Sequence, residues 1–167
     1  MFYYDILEGL FRKEIKYLIV GGLSVNLYGV PRVTQDIDII ISLEKENISK
    51  TISLFKDLGY LPKLPVNPEE LLDCKKVEDW IKNRNLIAFS FYHHSEIYKE
   101  VDIVLVHPLD FEKSFENKTI NKFMEIAIYI APIDDIIKMK ETSGRAQDVS
   151  DANMLKKVKQ ILDNKYG

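Results

Sequence analysis

The sequence predicts an α+β (or α/β) fold in which a mixed β-sheet is flanked by helices and closed by a C-terminal helical cap. Apolar runs of strand length, rich in β-branched residues, are confined to the chain before Ala131, and from Ile133 onward the pattern is helical. The 167 residues are 46% hydrophobic and 29% charged, which is enough apolar material for one core. We therefore expect an α/β core over residues 1–132 and a helical segment over residues 133–167 that packs on the same domain.

Helices and strands alternate in the first part of the chain. Residues 3–15 place apolar side chains on one face of a helix. The apolar run 17–20 predicts a buried strand that ends in a tight turn at Gly21 and Gly22. The sequence then predicts a short helix over 23–28, a strand over 36–42 and a helix over 44–58.

The second part begins with a segment that holds three prolines, 61–68, which we expect to be irregular because proline cannot donate a backbone hydrogen bond. A helix over 69–83 follows. Two further strands are expected to pair as a hairpin, and another strand precedes two closing helices. These elements are predicted over 86–93, 101–106, 123–130, 133–143 and 147–164.

Composition excludes several classes of protein. The formal net charge of −3 argues against a broad nucleic-acid surface, since phosphate contacts need an excess of Lys and Arg. Cys74 is the only cysteine, so no intramolecular disulfide and no Cys-based zinc site can form. The N-terminal residues mix charges into apolar positions and resemble neither a signal peptide nor a membrane span. We therefore expect a cytoplasmic protein with no membrane partner.

Asp36 and Asp38 are candidate metal ligands. Side chains at positions i and i+2 of a strand point to the same face, with Cα atoms roughly 6.6 Å apart at about 3.3 Å per residue. Two like charges at the head of a buried apolar strand are unfavourable unless a cation neutralises them. An all-oxygen ligand set favours Mg²⁺ or Mn²⁺ over zinc.

Asp102 repeats this pattern at the start of a second apolar strand. If the two strands are neighbours, three carboxylates converge at one sheet edge and can hold two metal ions about 3.5–4 Å apart for an in-line phosphoryl or nucleotidyl displacement. The alternative is that the three acids only cap the sheet edge in solvent.

The Gly21–Gly22 turn is a candidate phosphate site. Glycines let the backbone approach a ligand closely, and the N-terminus of the following helix presents free N–H groups to an anion. A plain strand-to-helix turn would use the same residues. The thirteen residues 23–35 suit a short helix and a return loop, which would bring this turn and the Asp36–Asp38 pair to the same sheet edge.

The segment IVGGLSVNLYGVPRVTQDIDIII resembles the signature of the nucleotidyltransferase superfamily, and EVDIVLV supplies a match to its third acid. The phrases GVPRVTQDID and KMKETSGRAQDVSDANML resemble AbiEii/AbiGii-type proteins related to toxins, over roughly residues 17–155. The resemblance implies a polymerase-β-like fold, with Asp36, Asp38 and Asp102 as catalytic metal ligands. Many members have Gly-Ser at the turn, whereas this chain has Gly22 there and Ser24, a further candidate nucleotide-binding residue, two residues later. Phosphate contact at the turn itself must therefore rest on backbone N–H groups.

Basic and polar residues surround this signature. Arg32 and Thr34, which recur in the resembling family, either contact phosphate or hold the loop before Asp36. Lys140 matches a lysine that such proteins carry after the last strand; it either pairs with the triphosphate or is a solvated helix lysine. Asp148 and Asp151 share a helix face, where they either orient Lys140 and Arg145 or form an exposed capping cluster.

The expected function is a Mg²⁺- or Mn²⁺-dependent transfer of a nucleoside monophosphate from an NTP such as ATP, with release of pyrophosphate. The acceptor is RNA (for example a tRNA 3′ end), a protein or a small molecule, and the AbiEii-type resemblance implies the toxin of a toxin–antitoxin pair with an antitoxin protein as partner. The alternatives are a catalytically silent nucleotide- or partner-binding module, a scaffold subunit of a toxin–antitoxin pair, and a metal-dependent phosphohydrolase.

Overall fold

The computed structural model describes residues 3–166, which form seven strands, seven α-helices and one 3₁₀ helix, Pro68–Leu72. The strands are β1 Tyr17–Val20, β2 Asp36–Ile41, β3 Tyr60–Pro62, β4 Ala88–His93, β5 Glu100–Val104, β6 Thr119–Phe123 and β7 Ile126–Ile130. The helices are α1 Tyr4–Arg12, α2 Gly21–Leu27, α3 Lys45–Asp57, α4 Cys74–Arg84, α5 Phe111–Glu116, α6 Ile133–Ser143 and α7 Ala146–Tyr166. Within this range no helix is both long and apolar enough to span a bilayer.

The seven strands make one mixed sheet in the order β3-β4-β5-β2-β1-β7-β6. β2 pairs in parallel with β5, β1 pairs in parallel with β7, and the remaining neighbours are antiparallel. Every residue of β1 and the last three of β2 are buried, because these central strands are covered on both faces. The predicted α+β fold with a mixed sheet is confirmed.

Helices cover the two faces of the sheet unequally. On one face α1, α3 and Trp80 of α4 pack over the width of the sheet, against residues such as Ile39, Phe89 and Ile128. On the other face α2, α6 and α7 pack on the centre, around Val20 and Ile40. This second layer meets β5 only near its end, at Val104. The outward-facing side chains of β4 and the first half of β5 therefore stay partly exposed.

Two predicted elements near the prolines are confirmed only in part. Tyr60–Pro62 lies in the segment expected to be irregular, yet it pairs with β4 as an edge strand, where proline's missing N–H is tolerated. The helix predicted over 69–83 is split at Asp73, whose side chain accepts hydrogen bonds from the backbone N–H groups of Lys75 and Lys76 and so starts α4.

The strand predicted over 123–130 is confirmed over Ile126–Ile130. Its first residues instead belong to a hairpin, β6–β7, whose turn contains Met124 with φ +53°. The prediction missed β6 and the short helix α5, because β6 is a polar edge strand without a buried face and α5 is only six residues long.

Replacing Phe91 by Ala is expected to lower the free energy of unfolding by about 3–5 kcal/mol, since the ring is 1% exposed and lies 5.0 Å from Phe55 and 5.2 Å from Phe89 between ring centroids. The control is Ile97→Ala in the β4–β5 turn, 70% exposed, which is expected to change stability by less than about 0.5 kcal/mol. Urea unfolding measures both. Equal effects of the two changes would contradict the placement of β4 in the core.

Candidate active site

Acidic side chains from two neighbouring strands meet at one edge of the sheet. In the parallel β2–β5 pair, Asp38 lies opposite Asp102 and Asp36 lies opposite Glu100. Because residues two apart share a face, all four carboxylates project on the same side of the sheet. The three predicted acids are therefore brought together. Glu100 was missed, although the spacing Glu-x-Asp in β5 repeats the Asp-x-Asp of β2.

Burial and neighbouring negative charges disfavour the ionised form of the aspartates at this edge. Burial, followed by the charges of Asp102 and Asp36, raises the pKa of Asp38 to about 6. Burial and the charges of Glu100 and Asp102 also raise the pKa of Asp36. Oδ1 of Asp102 is buried and has no hydrogen-bond partner among the described residues. Lys63, at the end of β3, forms an ion pair with Glu100.

A divalent cation fits these carboxylates by two observations. It would give the orphaned Oδ1 of Asp102 a partner, and it would offset the burial and the neighbouring negative charges that raise the pKa of Asp38. The donors are all oxygen, which suits Mg²⁺ or Mn²⁺. Within residues 3–166, however, no three His, Cys, Asp or Glu side chains have the arrangement of a complete metal site. The carboxylates would have to adjust their side-chain torsions to coordinate an ion.

The Gly21–Gly22 turn contacts the carboxylate edge directly. Val20 pairs with Asp38 across the antiparallel β1–β2 ladder, so the turn after Val20 reaches the Asp38 side chain. Gly21 has φ +63°, and a Cβ there would lie 1.8 Å from Oδ2 of Asp38. The N–H of Gly22 donates a hydrogen bond to Asp38. The predicted meeting of glycine turn and acidic pair at one sheet edge is confirmed.

The hydroxyl groups near the turn donate to backbone carbonyls. Ser24 is fully buried and its Oγ donates to the carbonyl of Gly21 at 2.7 Å. Oγ1 of Thr34 donates to the carbonyl of Asp36 at 3.4 Å, and it would lie 2.7 Å from a Cβ on Gly22. In this structure both side chains hold the turn and the loop in place.

A buried network joins the loop before β2 to the C-terminal helices. Nζ of Lys140 lies 2.7 Å from Oδ1 of Asp148 and 3.1 Å from Oδ2 of Asp151. Arg32 binds the same oxygen of Asp151, and Arg145 binds Asp148. Lys140 and both aspartates are buried, so the solvated lysine and the exposed capping cluster are excluded. The positive charge of Lys140 also lowers the pKa of Asp38, which places this network beside the carboxylate edge.

Solved structures with a similar fold are nucleotidyltransferases. The lincosamide antibiotic adenylyltransferase LnuA, bound to lincomycin, superposes with a TM-score of 0.61 at 17% identity, over 93% of this chain and 94% of LnuA. This chain has the nucleotidyltransferase fold. ANT(2″)-Ia in complex with adenylyl-2″-tobramycin gives a TM-score of 0.53 at 11% identity, over 99% of this chain and 97% of that one. A solution structure of the same antibiotic-resistance factor gives 0.53 at 11%, over 98% and 90%.

No protein-family model matches the chain, and no curated protein sequence matches it. The structural neighbours agree with the predicted superfamily fold. The finer resemblance to AbiEii-type proteins finds no counterpart among them and stays a prediction.

Gly21→Ala is expected to displace Asp38 and to lose metal binding, because the new methyl group would overlap the carboxylate. Gly144→Ala is a matched control: Gly144 has φ +66°, and a Cβ there meets nothing within 4 Å. Both changes carry the strain of a left-handed residue, on the order of 1 kcal/mol. Mn²⁺ binding measured by electron paramagnetic resonance should therefore fail in the first variant alone. Equal Mn²⁺ affinity in the two variants would contradict the close contact.

Asp148→Asn is expected to destabilise the protein in a pH-dependent way. Burial alone would raise the pKa of Asp148, but hydrogen bonds from Lys140, Ser143 and Arg145 outweigh it and hold the pKa well below its ordinary value. A carboxyl whose pKa is lower in the folded state stabilises the fold above its unfolded pKa, about 3.9, and loses that stabilisation as the pH falls further. Urea unfolding should therefore show a gap between wild type and variant that is full at neutral pH and narrows below about pH 4. A gap that does not change with pH would contradict the network.

Proposed function

We propose that the chain is a nucleotidyltransferase that uses Mg²⁺ or Mn²⁺ to move a nucleoside monophosphate from an NTP to a hydroxyl group of an acceptor. The observation that carries the proposal is the direct contact of the Gly21–Gly22 turn with Asp38, beside Asp102. A backbone turn suited to phosphate and carboxylates suited to cations thus lie at one edge of a sheet whose fold is shared with nucleotidyltransferases.

Asp36, Asp38 and Asp102 are the residues that would hold the metal. The bound ion would neutralise the charge that develops on the triphosphate. In the reaction the acceptor oxygen forms a bond to the α-phosphorus, the bond from that phosphorus to the bridging oxygen of the β-phosphate breaks, and pyrophosphate leaves with the bonding electrons. The hydroxyl proton would pass to Asp102 through its Oδ2, because its buried Oδ1 is the atom that the ion would engage.

The triphosphate would lie between the glycine turn and the buried network. Arg32 lies against the turn, with its Cζ 3.4 Å from where a Cβ on Gly22 would be, and shares Asp151 with Lys140. Both cations can bind phosphate oxygens, while Asp148 and Asp151 keep them in position. We assign Ser24 to holding the turn and Thr34 to holding the loop before β2, rather than to binding phosphate, because their hydroxyl groups donate to the carbonyls of Gly21 and Asp36.

We favour a small-molecule acceptor and ATP as the donor. LnuA is an adenylyltransferase solved with lincomycin, and ANT(2″)-Ia was solved with an adenylylated tobramycin. Both proteins match this chain over nearly its whole length, and this shared fold supports the choice of acceptor and donor.

A toxin-type enzyme acting on RNA or protein, with an antitoxin as partner, is the second candidate. One observation favours it. The two segments that resemble AbiEii-type proteins, one around Arg32 and the other from Lys140 to Asp151, are distant in sequence yet joined by ion pairs.

Asp38→Asn is expected to reduce nucleotide transfer more than about a hundredfold, since even outer-shell partners of a metal contribute ten- to a hundredfold. The variant should remain folded, because the neutral amide removes a buried charge whose pKa is raised by its neighbours. Asp57→Asn, an exposed carboxylate paired with Lys13, is the control and should keep full activity. The measurement is pyrophosphate release from ATP with a mixture of acceptors, beside thermal unfolding.

Three outcomes would separate the alternatives. Full activity of Asp38→Asn would refute the site. Binding of ATP without release of pyrophosphate would identify a silent binding module. Release of inorganic phosphate would identify a phosphohydrolase.

A further inference from the structure

The half of the sheet beside Asp102 carries a set of side chains that no helix of the second layer covers. We call this surface the open face; it is the outward side of β3, β4 and the start of β5. Its members follow from the strand register, in which Glu100 lies opposite Tyr92, Tyr92 opposite Leu61, and Asp102 opposite Ser90. Lys63 lies opposite Ser90, because the β3–β4 register continues past Pro62 and the N–H of Lys63 donates to the carbonyl of Ser90 at 2.9 Å. The open face consists of Leu61, Lys63, Ala88, Ser90, Tyr92 and Glu100.

The open face differs from the opposite side of the same strands. Phe89 and Phe91 on that opposite side are buried under α3 and Trp80. On the open face Leu61 is 45% exposed, and the side chains of Lys63 and Glu100 are 44% and 25% exposed. Neighbouring strands lie about 4.8 Å apart, so Tyr92 and Ser90 are within about 5 Å, and Leu61 within about 10 Å, of the β5 acids. The open face is therefore a floor that is continuous with the carboxylate edge.

The charges along this floor discriminate between classes of ligand. Among the described residues of the open face, Glu100 is the acid and Lys63 is the basic residue, and the two form an ion pair. Asp36, Asp38 and Asp102 lie at the adjoining edge and are the residues assigned to the metal. A nucleic acid would bring many phosphates to a surface on which the described cation, Lys63, is already paired, whereas phosphate contacts need an excess of Lys and Arg. A compound with an amino group would instead compete with Lys63 for Glu100. Tyr92 adds an aromatic ring, which attracts cations and packs against apolar groups.

We propose that the open face binds the acceptor and that the acceptor is a small hydroxyl compound carrying an amino group. Its apolar body rests on Leu61 and Tyr92, its amino group meets Glu100, and its hydroxyl group faces Asp102. The proposal rests on the proposed nucleotidyl transfer and gives that reaction a substrate class. Glu100 and Lys63 then act as a pair of opposite effect: Glu100 attracts the amino group, and Lys63 competes with it.

Nuclear magnetic resonance of the ¹⁵N-labelled chain tests this placement. The probes are tobramycin, as a compound with amino and hydroxyl groups, and oligouridylate, as a polyanion, each titrated in the presence of Mg²⁺. Tobramycin is expected to shift the amide signals of residues 61–63, 88–92 and 100–102, and oligouridylate is expected to leave them unchanged. No binding of tobramycin, shifts elsewhere, or shifts of these signals by oligouridylate would each overturn the proposal.

Two variants sharpen the test because they are expected to act in opposite directions. Glu100→Gln should weaken tobramycin binding about threefold to tenfold, the effect of one partly exposed charge, and Lys63→Gln should strengthen it by a similar factor. The matched controls are Glu78→Gln and Lys82→Gln, an exposed ion pair on α4 in the other layer, which should change nothing. Weakening by both open-face variants, or no effect of either, would overturn the proposal.

Failure of the proposed function gives a different result. It would appear as an absence of Mg²⁺-induced shifts near Asp38 and Asp102 and of pyrophosphate release, whatever tobramycin does. Failure of the acceptor proposal alone leaves those two signals intact and removes only the shifts on the open face.

Discussion

The rest of the site depends on the position of β2 between β1 and β5. Because β2 pairs with β5, Asp36 and Asp38 lie beside Glu100 and Asp102. The rise of the Asp38 pKa to about 6 corresponds to about 3 kcal/mol against its ionised form. Ile37, Ile39 and Ile40 are fully buried on the same strand, and each stabilises the fold by about 1.5–3 kcal/mol. The apolar strand thus offsets the free energy lost by burying Asp38 and placing it beside other acids. A carboxylate edge of this kind is stable as part of the sheet and still attracts cations.

The positive groups that partly compensate the negative charge of this edge come from parts of the chain that are distant in sequence. The N–H of Gly22 and the charge of Lys140 both favour the ionised form of Asp38. Lys140 in turn is fixed by Asp148 and Asp151, and Asp151 also holds Arg32. The helices α6 and α7 therefore do more than cover Val20 and Ile40. They supply a rigid, buried set of charges whose removal would leave unpaired ions in the core, which is strongly unfavourable.

The parts of the site that follow from local residue spacing could be predicted from the sequence, and the parts that depend on packing could not. The spacing of Asp36 and Asp38, the glycine turn and the apolar run after Asp102 were enough to predict three of the four acids at the edge. Glu100 was missed because the strand was predicted to begin at Val101, whereas β5 begins at Glu100 itself. The burial of Lys140 could not be read from its helix, since it results from the crossing of α6 and α7. The hairpin β6–β7 was missed because β6 is a polar edge strand.

The unequal layering of the sheet has a mechanistic consequence. In the proposed reaction the attacking and leaving oxygens lie on opposite sides of the α-phosphorus. The candidate phosphate-binding residues, Gly22, Arg32 and Lys140, lie at the centre of the sheet, where α2, α6 and α7 cover it. The open face is on the same face of the sheet but lies toward its β3 edge, on the far side of the Asp38–Asp102 pair from those residues. A nucleotide that enters from the helical side and an acceptor that rests on the open face therefore approach the carboxylates from opposite directions. A helix over β4 would bury Tyr92 and Leu61, but it would also close the side from which the attacking hydroxyl group must come.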